Sequence, residues 1–317
     1  MAVLTTTNLT VHYGRHPALS ELSVEIPEGV SGLLGQNGAG KSTLLKTVLG
    51  FLEPTGGAIE VLGATLSGAS GRPHALRQRL GYFPERSVFL PGLTSVEMVA
   101  LAGEIGGLRR TDALARAHDV LWFTGLGEAR YRLVEEFSTG MKQRTKLAMS
   151  MVHDPDLVLL DEPTSGLDPA GRRQMLELVR DIGKRRVSVI LSTHILHDVE
   201  QICENVIALD KGKLALEGRL AALRRHPGWV YEVRVREDSP GAFRDELSTR
   251  GLPLEEDSHG QLRITLSPGD ASAEPSTRFL FEAARLVGAE IRHLRRFETS
   301  LEDEFLTAVD SNPHHPS

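Results

Sequence analysis

Between Gly35 and Thr43 the chain reads "GQNGAGKST", a run that sets three glycines around and ahead of a lysine and two hydroxyls. The pattern G-x-x-x-x-G-K-[ST] has Gly35, Gly40, Lys41 and Ser42 in its defining positions. Glycine accepts backbone angles that other residues resist, so successive N–H groups can turn inward and ring a phosphate. A helix starting at the same spot adds its positive end. Lys41 would then reach the outer phosphates, and the Ser42 hydroxyl would complete a Mg2+ shell. The whole loop, Asn37, Gly38 and Thr43 included, is the expected phosphate-binding segment.

Two further stretches supply groups that such a loop needs. "LVLLDEPTSGLD" carries four apolar residues into Asp161, which places that carboxylate at the C-terminal end of a strand, where parallel sheets bind ligands. Asp161 suits the holding of Mg2+ through water, and Glu162 the activation of an attacking water. "LSTH" brings His194 out of the apolar run "VSVIL" at the same edge. A neutral imidazole there would sense the γ-phosphate and orient the water. A different anion-friendly turn lies at "FSTGMKQR", where Ser138 and Gly140 allow close backbone approach ahead of Lys142 and Arg144.

The elements that must position these groups follow from hydrophobic spacing. "LTVHYGRHPALSELSVEIPEG" predicts two short alternating strands joined by a turn. "GVSGLLG" is a strand running into the glycine-rich loop, "KSTLLKTVLGFL" a helix and "GAIEVLG" another strand. From about Arg86 to Glu136 the pattern is helical, an insertion in an otherwise α/β region. Helix "TKLAMSMVH", strand "DLVLLDEP", helix "PAGRRQMLELVRDIGKR" and strand "VSVILSTH" then imply a parallel sheet covered on both faces. Near Gly218 the character changes. "WVYEVRVRE" sets Trp229, Tyr231, Val233 and Val235 on one side, and "QLRITL" repeats the alternation. With the helical stretches "GAFRDELSTR", "STRFLFEAARLV" and "SLEDEFLTAV", this predicts a small antiparallel α+β domain with one solvated face. "EEDSHG" and "SPGDASAEPS" are expected loops, and "DSNPHHPS" a disordered tail.

Bulk properties narrow the function classes. With 317 residues, 40% hydrophobic and 25% charged, the chain has the composition of a soluble protein of about two domains. A formal net charge of −6 argues against a general nucleic-acid binder. The one cysteine, Cys203, excludes an intramolecular disulfide and is expected to be a small buried apolar residue in a reducing compartment. No run of about 18 apolar residues exists, so a membrane role must come through a partner. The start of the chain lacks a signal-peptide pattern.

The order "GQNGAGKST", "FSTGMKQR", "LVLLDEPTSGLD" and "LSTH" resembles the ATP-binding subunits of ABC transporters, over roughly residues 1–217. The resemblance implies an α/β fold: an ABC ATPase cassette, with a mixed sheet and a helical subdomain at about 86–145, then a small α+β domain at 218–310 and a tail at 311–317. It implies ATP and Mg2+ as ligands, with Lys41, Glu162 and His194 catalytic and Ser42, Asp161 and Glu85 toward the metal. Tyr13 matches the aromatic that stacks on adenine. Ser138 and Gly140 match the signature residues that bind the γ-phosphate of ATP held by the opposite subunit. Ser165, Gly166 and Asp168 match the loop that contacts the partner's phosphate loop. The implied partners are a membrane permease and a second ATP-binding subunit, as homodimer or heterodimer, at the cytoplasmic face of the membrane, with no nucleic acid.

Two departures stand out. Thr139 and Met141 replace a glycine and a glutamine of the usual signature, and Glu85 replaces the usual glutamine near Mg2+. Both features, with "YFPE" and the terminal "SLEDEFL", resemble exporter subunits of the ABC-2 type, which handle drugs or other hydrophobic substrates. Competing readings are an importer subunit, a soluble ABC ATPase acting on nucleic acid or the ribosome, and a regulatory protein that holds ATP without turnover. The single cassette, absence of sustained heptads and acidic charge oppose the second. Glu162 and His194 oppose the third.

Overall fold

The computed structural model describes residues 2–14, 16–66, 74–86, 89–223, 229–236, 241–256, 261–266 and 277–297. The chain divides into two compact units, the first built on residues 1–220 and the second on 221–304.

The first unit opens with strands β1 (Ala2–Tyr13), β2 (His16–Pro27) and β3 (Val30–Leu34), then helix α1 (Lys41–Leu49). Strands β4 (Gly56–Val61) and β5 (Ala64–Thr65), helix α2 (His74–Arg77) and strand β6 (Leu80–Phe83) follow. The helical stretch comprises α3 (Ser95–Ile105), α4 (Arg110–Phe123) and α5 (Thr139–Met151). Then come β7 (Leu157–Asp161), α6 (Pro169–Lys184), β8 (Ser188–Thr193), α7 (Leu196–Ile202), β9 (Asn205–Asp210) and β10 (Lys213–Arg219), and the single turn α8 (Leu220–Leu223) starts at the last residue of this unit.

Two sheets result. One is antiparallel, in the order β2-β1-β4-β5, and the other runs β10-β9-β3-β8-β7-β6. In the second sheet β9, β3, β8, β7 and β6 are mutually parallel and only β10 runs against its neighbour. Every residue of β3, β7 and β8 is buried, as strands covered on both faces must be. The C-terminal ends of the parallel strands therefore open on one edge, where Gly35, Asp161 and His194 leave the sheet. Helix α1 sinks Leu44, Leu45 and Val48 into a core shared by both sheets, with Leu4, Leu22 and Ile26 from one side and Leu157, Ile190 and Ile207 from the other.

The helical stretch has its own core, in which Val99 of α3, Leu121 of α4 and Ala148 of α5 meet Val134 and Phe137. Helix α3 starts with a reciprocal cap: the Thr94 hydroxyl accepts the Glu97 N–H, and the Glu97 carboxylate accepts the Thr94 N–H at 2.8 Å.

The second unit holds β11 (Trp229–Arg236), α9 (Ala242–Thr249), β12 (Leu254–Glu256), β13 (Leu262–Leu266), α10 (Arg278–Leu286) and β14 (Glu290–Phe297). Its sheet is antiparallel, in the order β12-β13-β11-β14. One face packs Tyr231, Val233, Leu262 and Ile264 against Phe243 and Leu247 of α9 and Leu280 and Ala283 of α10. On the other face Glu232 is also buried, beneath Arg263 at 3.3 Å and Arg295. Two guanidinium groups compensate the one buried carboxylate, while Arg234, Arg236, His293 and Arg295 on the same face are exposed.

Several sequence expectations need correction. The first two strands are long, twelve residues each, rather than short; the left-handed Asn8 (φ 48) in β1 and Glu21 (φ 50) in β2, with the register shift between Thr6 and Leu9, interrupt the alternation that would reveal their length. The helical subdomain does not stop at about 145, since α5 is continuous to Met151. A boundary at 217–218 falls inside β10, which runs to Arg219, and the first unit closes at Leu220. Glu255 and Glu256 belong to strand β12 rather than a loop. Strands β6, β9, β10 and β14 and helix α7 were not expected. The stretches "SPGDASAEPS", "SLEDEFL" and the tail lie outside the described residues.

Candidate functional site

The loop between β3 and α1 is shaped by what a side chain would strike. A Cβ on Gly40 would lie 2.8 Å from the Leu19 Cδ2 and 2.9 Å from the Ala18 carbonyl oxygen, and Gly40 has φ 105. Gly38, at φ 88, has nothing within 4 Å of its missing Cβ and faces open space. Gly35 is pressed against Leu209, whose carbonyl oxygen would be 2.6 Å from a Cβ. Asn37 and Gly38 are exposed at the loop's crest, whereas Lys41 and Thr43 are buried in the first turn of α1. Residue types and close approach together make a cradle of backbone with its N–H groups at a helix start, the form that binds phosphate.

Five side chains meet here, Lys41 and Ser42 from the helix start itself and Asp161, Glu162 and His194 from the ends of β7 and β8. Lys41 donates through Nζ to the carbonyl oxygens of Gly35 at 2.6 Å and Gln36 at 3.3 Å, and lies 3.6 Å from Glu162 Oε1. The Ser42 hydroxyl donates to Asp161 Oδ1 at 3.2 Å. His194 Nδ1 lies 3.0 Å from each oxygen of the Glu162 carboxylate. Asp161 and Glu162 are adjacent in sequence yet reach different partners, because β7 ends there: Glu162 has φ 50 while its N–H still donates to the Ser192 carbonyl.

The donor set fits a hard cation. Ser42 and Asp161 offer an alcohol and a carboxylate oxygen, and the Ser192 hydroxyl holds the same Asp161 Oδ1 at 3.0 Å from behind. Glu85 lies two residues beyond β6, whose Phe83 sits beside Leu160 in parallel register, so the chain carrying Glu85 runs alongside Asp161. The exposed Glu85 side chain and Asp161 both act on Tyr82, whose phenol is pushed up to about 12, by burial first and then by these two carboxylates.

The other candidates are elsewhere. Ser138 caps α5, accepting the Met141 N–H at 3.3 Å. Ser138, Thr139 and Gly140 line an open hollow of about 510 Å3 together with Gly166, Asp168 and Gln174, and no residue of the phosphate loop borders it. Asp168 caps α6 through the Gly171 N–H at 3.0 Å. Met141, at the position of a usual glutamine, packs against the helical core. Tyr13 is half exposed at the end of β1, opposite His16.

Three supporting groups escaped the sequence reading. Ser192 is one, a hydroxyl in an apolar strand two residues before His194. The fully buried Asp198 of α7 is another: it accepts from Arg172 Nε at 2.7 Å and from the Thr164 hydroxyl at 2.8 Å, tying the helix after His194 to the loop after Glu162. Lys146 is the third, a buried cation on α5. Their signal was faint: each is one polar residue at a position where the helical or strand period demands burial.

A family model described as ABC transporter matches residues 19–165. The chain is also 36% identical, over 309 residues and 97% of each chain, to the bacitracin transport ATP-binding protein BcrA of Bacillus licheniformis. The chain belongs to the ABC transporter ATP-binding proteins. Other members of this family are similar over nearly the whole length. An uncharacterized ABC transporter ATP-binding protein, YxlF of Bacillus subtilis (strain 168), is 32% identical over 97% of this chain and 99% of its own. The daunorubicin/doxorubicin resistance ATP-binding protein DrrA of Streptomyces peucetius is 31% identical over 97% and 92%. Such coverage means that these ABC relatives share the second unit as well. Among solved structures, an ATP-binding subunit of an ABC transporter is 32% identical with a TM-score of 0.62, covering 70% of this chain and 92% of that one. No helix among the described residues of this ABC protein is long and apolar enough to cross a membrane.

Proposed function

We propose that this chain hydrolyses ATP in a head-to-tail pair of ATP-binding subunits and so powers a separate membrane permease, an exporter of drugs or other hydrophobic compounds, from the cytoplasmic face of the membrane. The observation that carries the reading is the Glu162 carboxylate, held between His194 Nδ1 at 3.0 Å and Lys41 Nζ at 3.6 Å beside the Ser42–Asp161 pair. Export is supported by the relatives named for bacitracin transport and for daunorubicin and doxorubicin resistance.

Each group has a task set by its place. The loop from Gly35 to Thr43, with Asn37 and Gly38 at its crest, cradles the phosphates, and Lys41 neutralises the outer ones. Ser42 and Asp161 would hold Mg2+, with Glu85 on the neighbouring loop as a further candidate; bound there, the ion would supply charge neutralisation on the phosphate oxygens. Glu162 takes the proton of the attacking water and His194 orients both. Tyr13 stacks on the base. Ser138 and Gly140, with Asp168 beside them, close over the nucleotide of the opposite subunit, the positive end of α5 aimed across the interface. Losing the γ-phosphate removes contacts from both cradles, which is the differential affinity that a switch requires.

The test compares the purified chain with Glu162→Gln. Steady-state phosphate release should fall by about 10²–10⁴-fold, the range for loss of a general base. In saturating Mg·ATP the variant should elute as a dimer. Turnover at the level of the unsubstituted chain, or a variant that stays monomeric, would overturn the assignment.

A further inference from the structure

Lys146 is 3% exposed on the inner face of α5. Its Nζ donates to the carbonyl oxygens of Pro84 at 2.7 Å and Glu85 at 3.2 Å, and lies 4.1 Å from the centre of the Phe83 ring. Three consecutive residues leaving β6 thus converge on one ammonium group. The parallel register of Phe83 with Leu160 sets this segment alongside Asp161, so two carboxylates, Glu85 and Asp161, share one stretch of sheet edge. Like charges placed side by side repel, and a buried cation among them offsets that repulsion. Burial pushes the Lys146 ammonium down to about 8, while the Glu85 and Asp161 charges act in the opposite direction. A lysine that only filled space in a helical core would not meet two carbonyls, an aromatic face and two carboxylate fields at once.

We infer that Lys146 is a positioning residue, which ties the Glu85 loop to the helix capped by Ser138 and offsets the repulsion between Glu85 and Asp161 so that the loop stays against the sheet edge. This rests on the proposed role of that edge in holding Mg·ATP. It adds that the loop and α5 move as one body, because the tether joins them directly.

The experiment uses the full chain with Lys146→Met, Lys146→Arg and Lys146→Met/Glu85→Gln, and two readouts. In nucleotide-free protein, amide hydrogen exchange of peptides spanning residues 80–90 should become about tenfold faster in Lys146→Met. It should return close to the original rate in the double variant, where the repulsion is gone. Lys146→Arg, which keeps the charge, should stay near the original rate. In Mg·ATP turnover, Lys146→Met should lower kcat by about 10- to 100-fold, as loss of a group supporting a metal site does, with KM little changed, and Lys146→Arg should keep most of it. Unchanged exchange in Lys146→Met, or no return toward the original exchange rate on adding Glu85→Gln, overturns the inference. A chain without ATP turnover would defeat the proposed function alone, since the exchange readout needs no nucleotide. Should Lys146→Met not fold, a cooperative thermal transition regained in the double variant supports the inference, and its continued absence overturns it.

Discussion

Helices α1 and α5 both begin at turns suited to an anion, and they are finished in opposite ways. At α1 the residue before the helix is Gly40, left-handed and without any side-chain cap, so the first N–H groups are left to a ligand. Around it the same chain supplies an ammonium, a hydroxyl, two carboxylates and an imidazole. At α5 the Ser138 hydroxyl already satisfies one N–H, and Ser138 and Gly140 look into an open hollow that is lined by none of Lys41, Ser42, Asp161, Glu162 and His194. The first turn is complete in one polypeptide. The second offers a hydroxyl, a glycine and a helix dipole, with Arg144 and Asp168 nearby and no imidazole or paired carboxylates. That contrast is why the proposal gives the second turn to the nucleotide of another subunit.

The comparison can be broken at either turn. Lys41→Ala has the largest expected effect: kcat should fall by about 10²–10³-fold as a charge-stabilising donor is lost. ATP affinity should also fall by about 10- to 100-fold, the worth of a hydrogen bond to a charged group. Equilibrium binding of a fluorescent ATP analogue measures this, and affinity equal to the unsubstituted chain would mean that the cradle is elsewhere. Ser138→Glu comes next. It should leave ATP binding by the isolated subunit within about twofold, yet lower turnover by about 10- to 100-fold through like-charge repulsion at the proposed interface. Full turnover in this variant would mean that the α5 turn plays no part. Ser138→Ala is the mildest, removing the cap bond at about 1 kcal/mol and lowering Tm by about 2–4 °C in calorimetry. A Tm unchanged by that substitution would mean that the Ser138 side chain does not cap α5 in solution.

Much of the site was legible because its chemistry is local. Residues 35–43 specify a loop whose glycines can be read from spacing alone, and Asp161 and His194 announce themselves by ending apolar strands. Lys146, Asp198 and Ser192 could not be read that way. Each acts on a partner far along the chain, and one polar residue in an apolar period carries no sign of which partner it will meet. The fold shows the same division. Strands β3, β7 and β8 are continuous apolar runs and were plain. Strand β1 was obscured by its bulges, and β14 by arginines that its register turns toward Glu232 and the face beyond.

The φ of 50 at Glu162 has a consequence for how this protein ages under mutation. A residue without a glycine's freedom is held there at a standing cost of about 1–3 kcal/mol, met by the rest of the sheet. Replacement by glycine would release that tension but leave the buried Lys41 ammonium without the carboxylate 3.6 Å away, so at position 162 backbone strain and charge pairing pull stability in opposite directions.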